Sequence, residues 1–532
     1  MRRPYVLAIA VFVFAWIILA VTTPGIPIVW DEGDYLGRAS LAADWFRIVF
    51  GLDHSAVWSE AFSAATIKAH WLFIDYSEGH PAWFIVPIAL TKLLFSRAVD
   101  PLTAARLGPL TVFSLACACV AYRANKEWGL VAALAAPVAL ITFPRMFSEA
   151  HFATQDGQLT AWWLMLWAAD SQLNAGTRHA AGTGVLLGLT TATKFTGWFA
   201  WLPLVVSRIG RGAFQEFRTL GIIIATALFV FWLVNPPLWH HPIDGLQTHF
   251  HLSLNRAHTF SIPILFLGRI YDMQHPLPWY NTLAWLFLVA PVPTLVLGGV
   301  GLWRSLAERT RASLTLVMHC AILMVVRAMP GSPPHDGIRL FLPAFGFWCV
   351  LAGVGAQAVW NVAASTTSWR ARILRVAIII AVLSSAVDIA RYYPQTLSHY
   401  NAVAGGVHGA AELGMEPAYW WDALDKDVLS WLNEHTEPAA VVAFSPVSNM
   451  TELHAWGRLR PHDVDPEKEE FKWYVLQNRP GKFTDRDRAL VKGAEPAYVK
   501  YAGRRPAGDP VPIDLRVPLL MIYSYDQYKN AR

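Results

Sequence analysis

Twenty-seven consecutive residues without a charged side chain separate Arg3 from Asp31. A bilayer core of about 30 Å asks for about 20 apolar residues of helix, so this stretch is long enough to cross one. Similar gaps lie between Arg218 and Asp244, Asp272 and Arg304, and Arg339 and Arg370. Shorter apolar runs fall near 81–95, 107–122, 128–144, 157–173, 180–193, 196–207, 312–326 and 371–390. Of the 532 residues 55% are hydrophobic and 15% charged, where soluble domains carry about 25% charged residues. The same figures, with 13% aromatic residues, exclude a disordered chain. A net charge of +5 is too small to mark a nucleic-acid partner. The reading is an all-α polytopic membrane protein with about 11–13 transmembrane helices, some needing snorkelling flanks to span.

The N-terminal apolar stretch reaches about 20 residues with no small-residue cleavage site before Asp31, which marks an uncleaved first span rather than a signal peptide. Arg2 and Arg3 then stay in the cytoplasm, and residues 24–80 form a first outer loop. The transmembrane domain is expected over 1–391. From Pro461 to Lys500, 16 of 40 residues are charged, so 392–532 is read as a small soluble α/β domain at the outer face. Ala439–Phe444 and Val517–Tyr523 read as strands. Trp421–Glu434 has helical spacing. All four cysteines lie in apolar helices and read as buried small hydrophobes. No phosphate-cradling glycine loop and no dinucleotide fingerprint is present, so no cofactor is expected.

Charged groups at the ends of membrane helices are expensive and therefore informative. Asp31, Glu32 and Asp34 crowd one membrane surface, where mutual repulsion raises a pKa or recruits a cation. A solvated helix N-terminus would carry acids too. Further polar clusters are Asp75–Pro81, Arg145 with Glu149, His151 and Asp156, Lys194 in an apolar stretch, NPPLWHHP at 235–242, and PHDGIRLFLPAF at 334–345. Together they describe a polar cavity at one membrane face. Sugar transfer from a lipid phosphate needs such a mixture: a carboxylate for the acceptor hydroxyl, cations for the departing phosphate, and an apolar groove for the lipid. A proton-coupled transporter would place its acids near the midplane, usually with internal repeats, and no repeat is visible.

The motifs Asp31-Glu32 with Tyr35, GHP at 79–81, AHFATQDG, GLTTATKFTGW, NPPLWHHPIDGL, HDGIRLFLPAF and LSHYNAVAGGVHGAAELGMEPAYWW run in one order from residue 30 to about 421. This order resembles the membrane glycosyltransferases of family 39, in the GT-C superfamily with protein O-mannosyltransferases and lipid A aminoarabinose transferases. The resemblance implies a polyprenyl-phosphate-sugar donor, an unidentified protein, lipid or glycan acceptor, and no metal. It puts the catalytic base on Asp31, with Asp156 as the second outer-loop acid; Glu32 either assists the base or caps the loop. It puts substrate contacts on Tyr35, Glu78, His80, Lys194, His335 and Arg339, while His151 suits either a substrate contact or a core hydrogen bond. The implied location is a multi-pass protein of a bacterial inner membrane, with the site and the C-terminal domain on the periplasmic face. Asp34, and Glu78-Gly79-His80-Pro81, depart from the aminoarabinose pattern, which favours a hexose donor. Trp420, Trp421 and Trp456 suit either glycan contact or core packing. His240-His241 point to different helix faces and read as loop residues. A flippase for lipid-linked sugars would share the groove and the phosphate contacts but would need no base at Asp31.

Overall fold

The computed structural model describes residues 3–531 except 56, 72–78, 171–175, 210–213, 260–261, 439, 447–452, 454–457, 465–468 and 505–508. Among these, five helices are long and apolar enough to cross a membrane: Pro4–Gly25, Pro101–Glu127, Arg311–Ala328, Arg339–Ala364 and Trp369–Tyr392. Leu130–Thr142 and Pro144–His151 make a sixth element, bent by 75°. Pro144 explains the bend, because the residue before a proline leaves the helical region; Phe143 has φ −75°, ψ 111°. The chain is thus a multi-pass membrane protein. Not all the expected crossings are full-length helices. Gln155–Ala169 and Thr177–Thr191 have 15 residues each, a rise of about 22 Å. They pack against each other inside the bundle.

Backbone contact packs the bundle where glycines line up. A Cβ on Gly301 would fall 1.9 Å from the Leu351 carbonyl oxygen, and one on Gly355 2.0 Å from that of Leu297. Helices Val292–Glu308 and Leu342–Ala364 therefore touch through small residues, as lipid-embedded helices commonly do.

The chain between His80 and Asp156 contains three apolar runs but must cross an even number of times if both residues share a face. Ile85–Phe95 has 11 residues, a rise of only about 16 Å. It packs on the opening turns of Pro101–Glu127: Gly108 N donates to Thr91 Oγ1 at 3.1 Å, and a Cβ on Gly108 would strike the Pro87 carbonyl. Asp100, just before that helix, meets Arg458 of the C-terminal region at 2.9 Å. Ile85–Phe95 therefore stays on the face that carries Asp31, and Pro101–Glu127 and Leu130–Thr142 are the two crossings.

Beyond Tyr392 the chain forms a mixed sheet. With β1 (Ile264–Phe266) and β2 (Arg269–Tyr271) a separate hairpin, its strands are β3 (Val441–Ser445), β4 (His462–Val464), β5 (Trp473–Gln477), β6 (Tyr498–Lys500) and β7 (Leu520–Ser524). Their order is β4-β3-β5-β7-β6. β3 runs parallel to β4 and β5, and β7 antiparallel to β5 and β6. Val442, Val475 and Ile522 on the three central strands are fully buried. Lys426–Glu434 is the helix within the stretch expected to be helical. The hairpin joins this region to the bundle, because Glu416 Oε1 accepts from Leu265 N at 2.9 Å and from Gly481 N at 3.1 Å.

Candidate active site

Val29 ends the chain's extended entry, and helix Trp30–Val49 begins with Asp31 and Glu32 in its first turn. The two acids have different surroundings. Glu32 is fully buried; it accepts from Arg106 Nε at 2.7 Å and Nη2 at 2.6 Å, and from Ala153 N at 2.8 Å. Arg106 in turn donates to the carbonyls of Ile26 and Pro27 at 2.8 and 2.6 Å. A two-pronged buried pair with every prong occupied holds the loop in place, so Glu32 braces the start of the Asp31 helix. Asp31 keeps 23% side-chain exposure.

Arg339 is the hub. Its Nη1 donates to Asp31 Oδ2 at 2.8 Å; Nε lies 3.6 Å from Asp156 Oδ2 and Nη2 3.3 Å from Asp336 Oδ2. Asp156 also accepts from Lys194 Nζ at 2.5 Å. Above this array lies Trp420, whose ring centroid is 3.8 Å from the Arg339 guanidinium carbon and whose Nε1 donates to Asp31 Oδ1 at 3.3 Å. Motif order had pointed to Asp31, Asp156, Lys194 and Arg339 separately; the fold joins them into one chain of contacts.

The C-terminal region adds more charge. Arg479 Nη2 approaches Asp336 Oδ1 at 3.8 Å. Burial raises the Asp336 carboxyl, but Arg339, His335, Arg479 and Lys482 outweigh it and hold the group well below the usual carboxylate range. Burial and the Arg479 charge bring the Lys482 ammonium down to about 8, against the opposing pull of Asp336, Glu416 and Asp31.

Next to the hub a cavity of about 370 Å³ opens between helices. Its polar end carries His80, Gln155, Lys194, His335, Arg339 and Arg327; Phe199, Leu254, Leu323, Val326 and Met329 line the rest. Gln155 Nε2 donates to Tyr35 Oη at 3.1 Å and lies 3.2 Å from His80 Nε2, which brings Tyr35 to the rim. Arg327 is 4% exposed, and none of its three guanidinium nitrogens has a hydrogen-bond partner. A buried cation with unused donors is costly unless an anion completes it. Sequence reasoning missed Arg327, because a basic residue closing a membrane helix reads as an ordinary interface anchor.

His151 does not reach this cavity. It is fully buried, with Nε2 2.8 Å from Thr22 Oγ1 and Nδ1 2.6 Å from the Phe147 carbonyl oxygen, so it ties the first helix to Pro144–His151. Glu78 lies outside the described residues. His240 Nε2 approaches the Phe62 carbonyl oxygen at 2.9 Å in an exposed loop. Among the described residues no three His, Cys, Asp or Glu side chains are grouped to hold a metal ion.

No protein family and no curated protein matches the chain. Solved structures do. ArnT from Cupriavidus metallidurans in the apo state has a TM-score of 0.50 at 15% identity, covering 98% of this chain and 98% of that one. The archaeal oligosaccharyltransferase AglB from Archaeoglobus fulgidus, in complex with an inhibitory peptide and a dolichol-phosphate, also has a TM-score of 0.50, at 12% identity over 88% of this chain and 69% of that one. With the helical bundle and the small C-terminal sheet already described, these matches show that the chain shares its fold with ArnT and AglB.

Proposed function

We propose that the chain is a glycosyltransferase that moves a sugar from a polyprenyl-phosphate-linked donor to an acceptor on the outer face of the membrane. The observation that carries this reading is the cavity: apolar along most of its wall, and closed by the unpartnered Arg327 beside Lys194, His335 and Arg339. An isoprenoid chain suits the apolar wall and a phosphate suits the cations. AglB was solved with a dolichol-phosphate and a peptide, which supports a lipid-linked donor on this fold. Arg2 and Arg3 at the start of the chain support a cytoplasmic N-terminus. The Asp31 face, reached after one crossing, is then the outer one.

In this reaction Asp31 accepts the proton of the acceptor hydroxyl as the acceptor oxygen bonds to the anomeric carbon. The bond from that carbon to the phosphate oxygen breaks, and the polyprenyl phosphate leaves with the electron pair, held by Arg327 with Lys194 and His335. Arg339, already directed at three carboxylates, aligns Asp31 and Asp156. Tyr35 and His80, joined through Gln155, face the sugar. Glu32 supports the loop through Arg106.

The test is transfer by purified protein in detergent, from a panel of radiolabelled polyprenyl-phosphate sugars to a membrane extract. Label is expected to reach a new product with wild-type protein and not with an equally folded Asp31→Asn variant. Donor binding without label ever leaving the lipid would instead point to a flippase.

A further inference from the structure

Trp420 lies beyond the last span, 389 residues from Asp31, yet it touches both members of the central ion pair. We infer that Trp420 is a positioning residue for the proposed transfer: its indole N–H sets one oxygen of Asp31 while its ring face holds the Arg339 guanidinium on the other. The inference rests on the transferase reading above and goes beyond it, because it makes the segment after the membrane bundle part of the site.

Three observations carry it. The indole Nε1 donates to Asp31 Oδ1 at 3.3 Å while Arg339 donates to Oδ2, so the carboxylate plane is fixed from both sides. The guanidinium carbon lies 3.8 Å from the ring centroid, at stacking distance, where an arginine is held flat without using up its donors. The backbone is pinned as well: Trp30 N donates to the Trp420 carbonyl oxygen at 3.1 Å, which ties the turn to the start of the Asp31 helix.

The conformation itself is costly. Trp420 and Trp421 both have positive φ, 58° and 67°, a region that bulky residues rarely occupy and that persists only where surroundings over-determine it. Trp421 supplies part of that hold, being buried edge-on to Phe444 of β3 at 5.7 Å. The sheet beyond the bundle thereby anchors the turn that presents Trp420. A tryptophan that merely filled core would have no need to direct its N–H at a carboxylate in so strained a turn.

The experiment is a mutant cycle in full-length protein, with steady-state transfer and binding of undecaprenyl phosphate as separate readouts. Trp420→Phe keeps the stack and loses the N–H; the expected result is kcat down about tenfold, the worth of one hydrogen bond to a charged group, with donor KM and undecaprenyl phosphate affinity unchanged. Trp420→Leu loses the stack too, and donor KM is expected to rise. In an Asp31→Asn background Trp420→Phe is expected to cost nothing further, because a residue acting through Asp31 has no effect once the carboxylate is gone. An unchanged kcat in Trp420→Phe, or a full additional loss in the Asp31→Asn background, overturns the inference and leaves the transferase reading standing. If wild-type protein transfers no sugar, the reading falls and the inference with it.

Discussion

Helix Gln155–Ala169 ends in buried charge at both faces of the membrane, and its two ends differ in kind. At its first turn Asp156 meets Lys194 and Arg339 beside a cavity of about 370 Å³. Just past its last turn Asp170 pairs with Arg208, with Arg311 at 3.8 Å, and close by Arg123 pairs with Glu127 at 3.0 Å. Both ends hold acids and arginines at similar burial, so burial alone does not mark a site. At the Asp156 end all three guanidinium nitrogens of Arg327 lack a hydrogen-bond partner beside the cavity; at the Asp170 end Arg208 is bound directly to its acid and only its Nε lacks one. Paired charge stabilises a helix end, and surplus cation beside a cavity calls for a ligand.

The largest effect expected follows directly. Asp31→Asn should lower transfer by about 10²- to 10⁴-fold, the usual worth of a general base, with thermal unfolding in detergent unchanged. Asp170→Asn should do the reverse: it strands Arg208 and should cost about 3–5 kcal/mol of stability, with kcat/KM per folded molecule retained. Equal loss of activity in both variants would erase the distinction between the two ends.

A smaller and sharper contrast comes from two arginine-to-methionine changes. Arg327→Met removes a buried cation that no protein group hydrogen-bonds, so the melting temperature should hold or rise, while donor KM rises with the loss of about 2 kcal/mol of phosphate contact. Arg208→Met should lower the melting temperature because Asp170 loses its partner. A stability loss in Arg327→Met as large as that in Arg208→Met would mean that Arg327 serves the fold and not a ligand.

The smallest effect concerns two buried acids whose nearby cations do not outweigh their burial. Burial raises the Glu416 carboxyl to about 7, against Arg479 and two backbone N–H groups, and raises Asp422 to about 7, against the Ser398 hydroxyl. Both folded values exceed the unfolded ones, near 4. The folded state therefore holds more protons between pH of about 4 and 7, and stability is present below that window and lost as pH rises through it. Unfolding followed by tryptophan fluorescence should show a falling midpoint across this range, and Glu416→Gln with Asp422→Asn should flatten it.

Much of the fold was legible because lipid imposes one rule on every span: apolar side chains outside and backbone hydrogen bonds within. The runs ending at Asp31 and opening at Arg339 could be read from charge gaps alone. The even number of crossings between His80 and Asp156 already asked for an interfacial run, with 81–95 the candidate, or for two runs joined in one bent element; the structure located the bend at Pro144 and the short helix at Ile85–Phe95. Asp31, Asp156, Lys194 and Arg339 stood out because charge is rare where they occur. Glu32 and His151 stood out for the same reason, yet the fold uses them to hold a loop and a helix. A polar residue at a membrane face signals that it has a partner; it does not say whether that partner is protein or ligand. Trp420 stood out only as an aromatic suited to glycan contact or core packing, one of 25 tryptophans, with nothing to tie it to Asp31; Arg327 carried no signal, being a basic residue at a helix end.

The order of residues by itself determined the membrane class, the approximate spans, the charged C-terminal region and the acids worth watching, because those depend on local hydropathy and composition. The tertiary structure decided which acids meet which cations, that Arg327 is left over, and that a tryptophan from beyond the last span reaches Asp31. Such choices turn on the relative height and rotation of helices packed through glycine and on side chains hundreds of residues apart, and a one-dimensional pattern of polarity does not encode either.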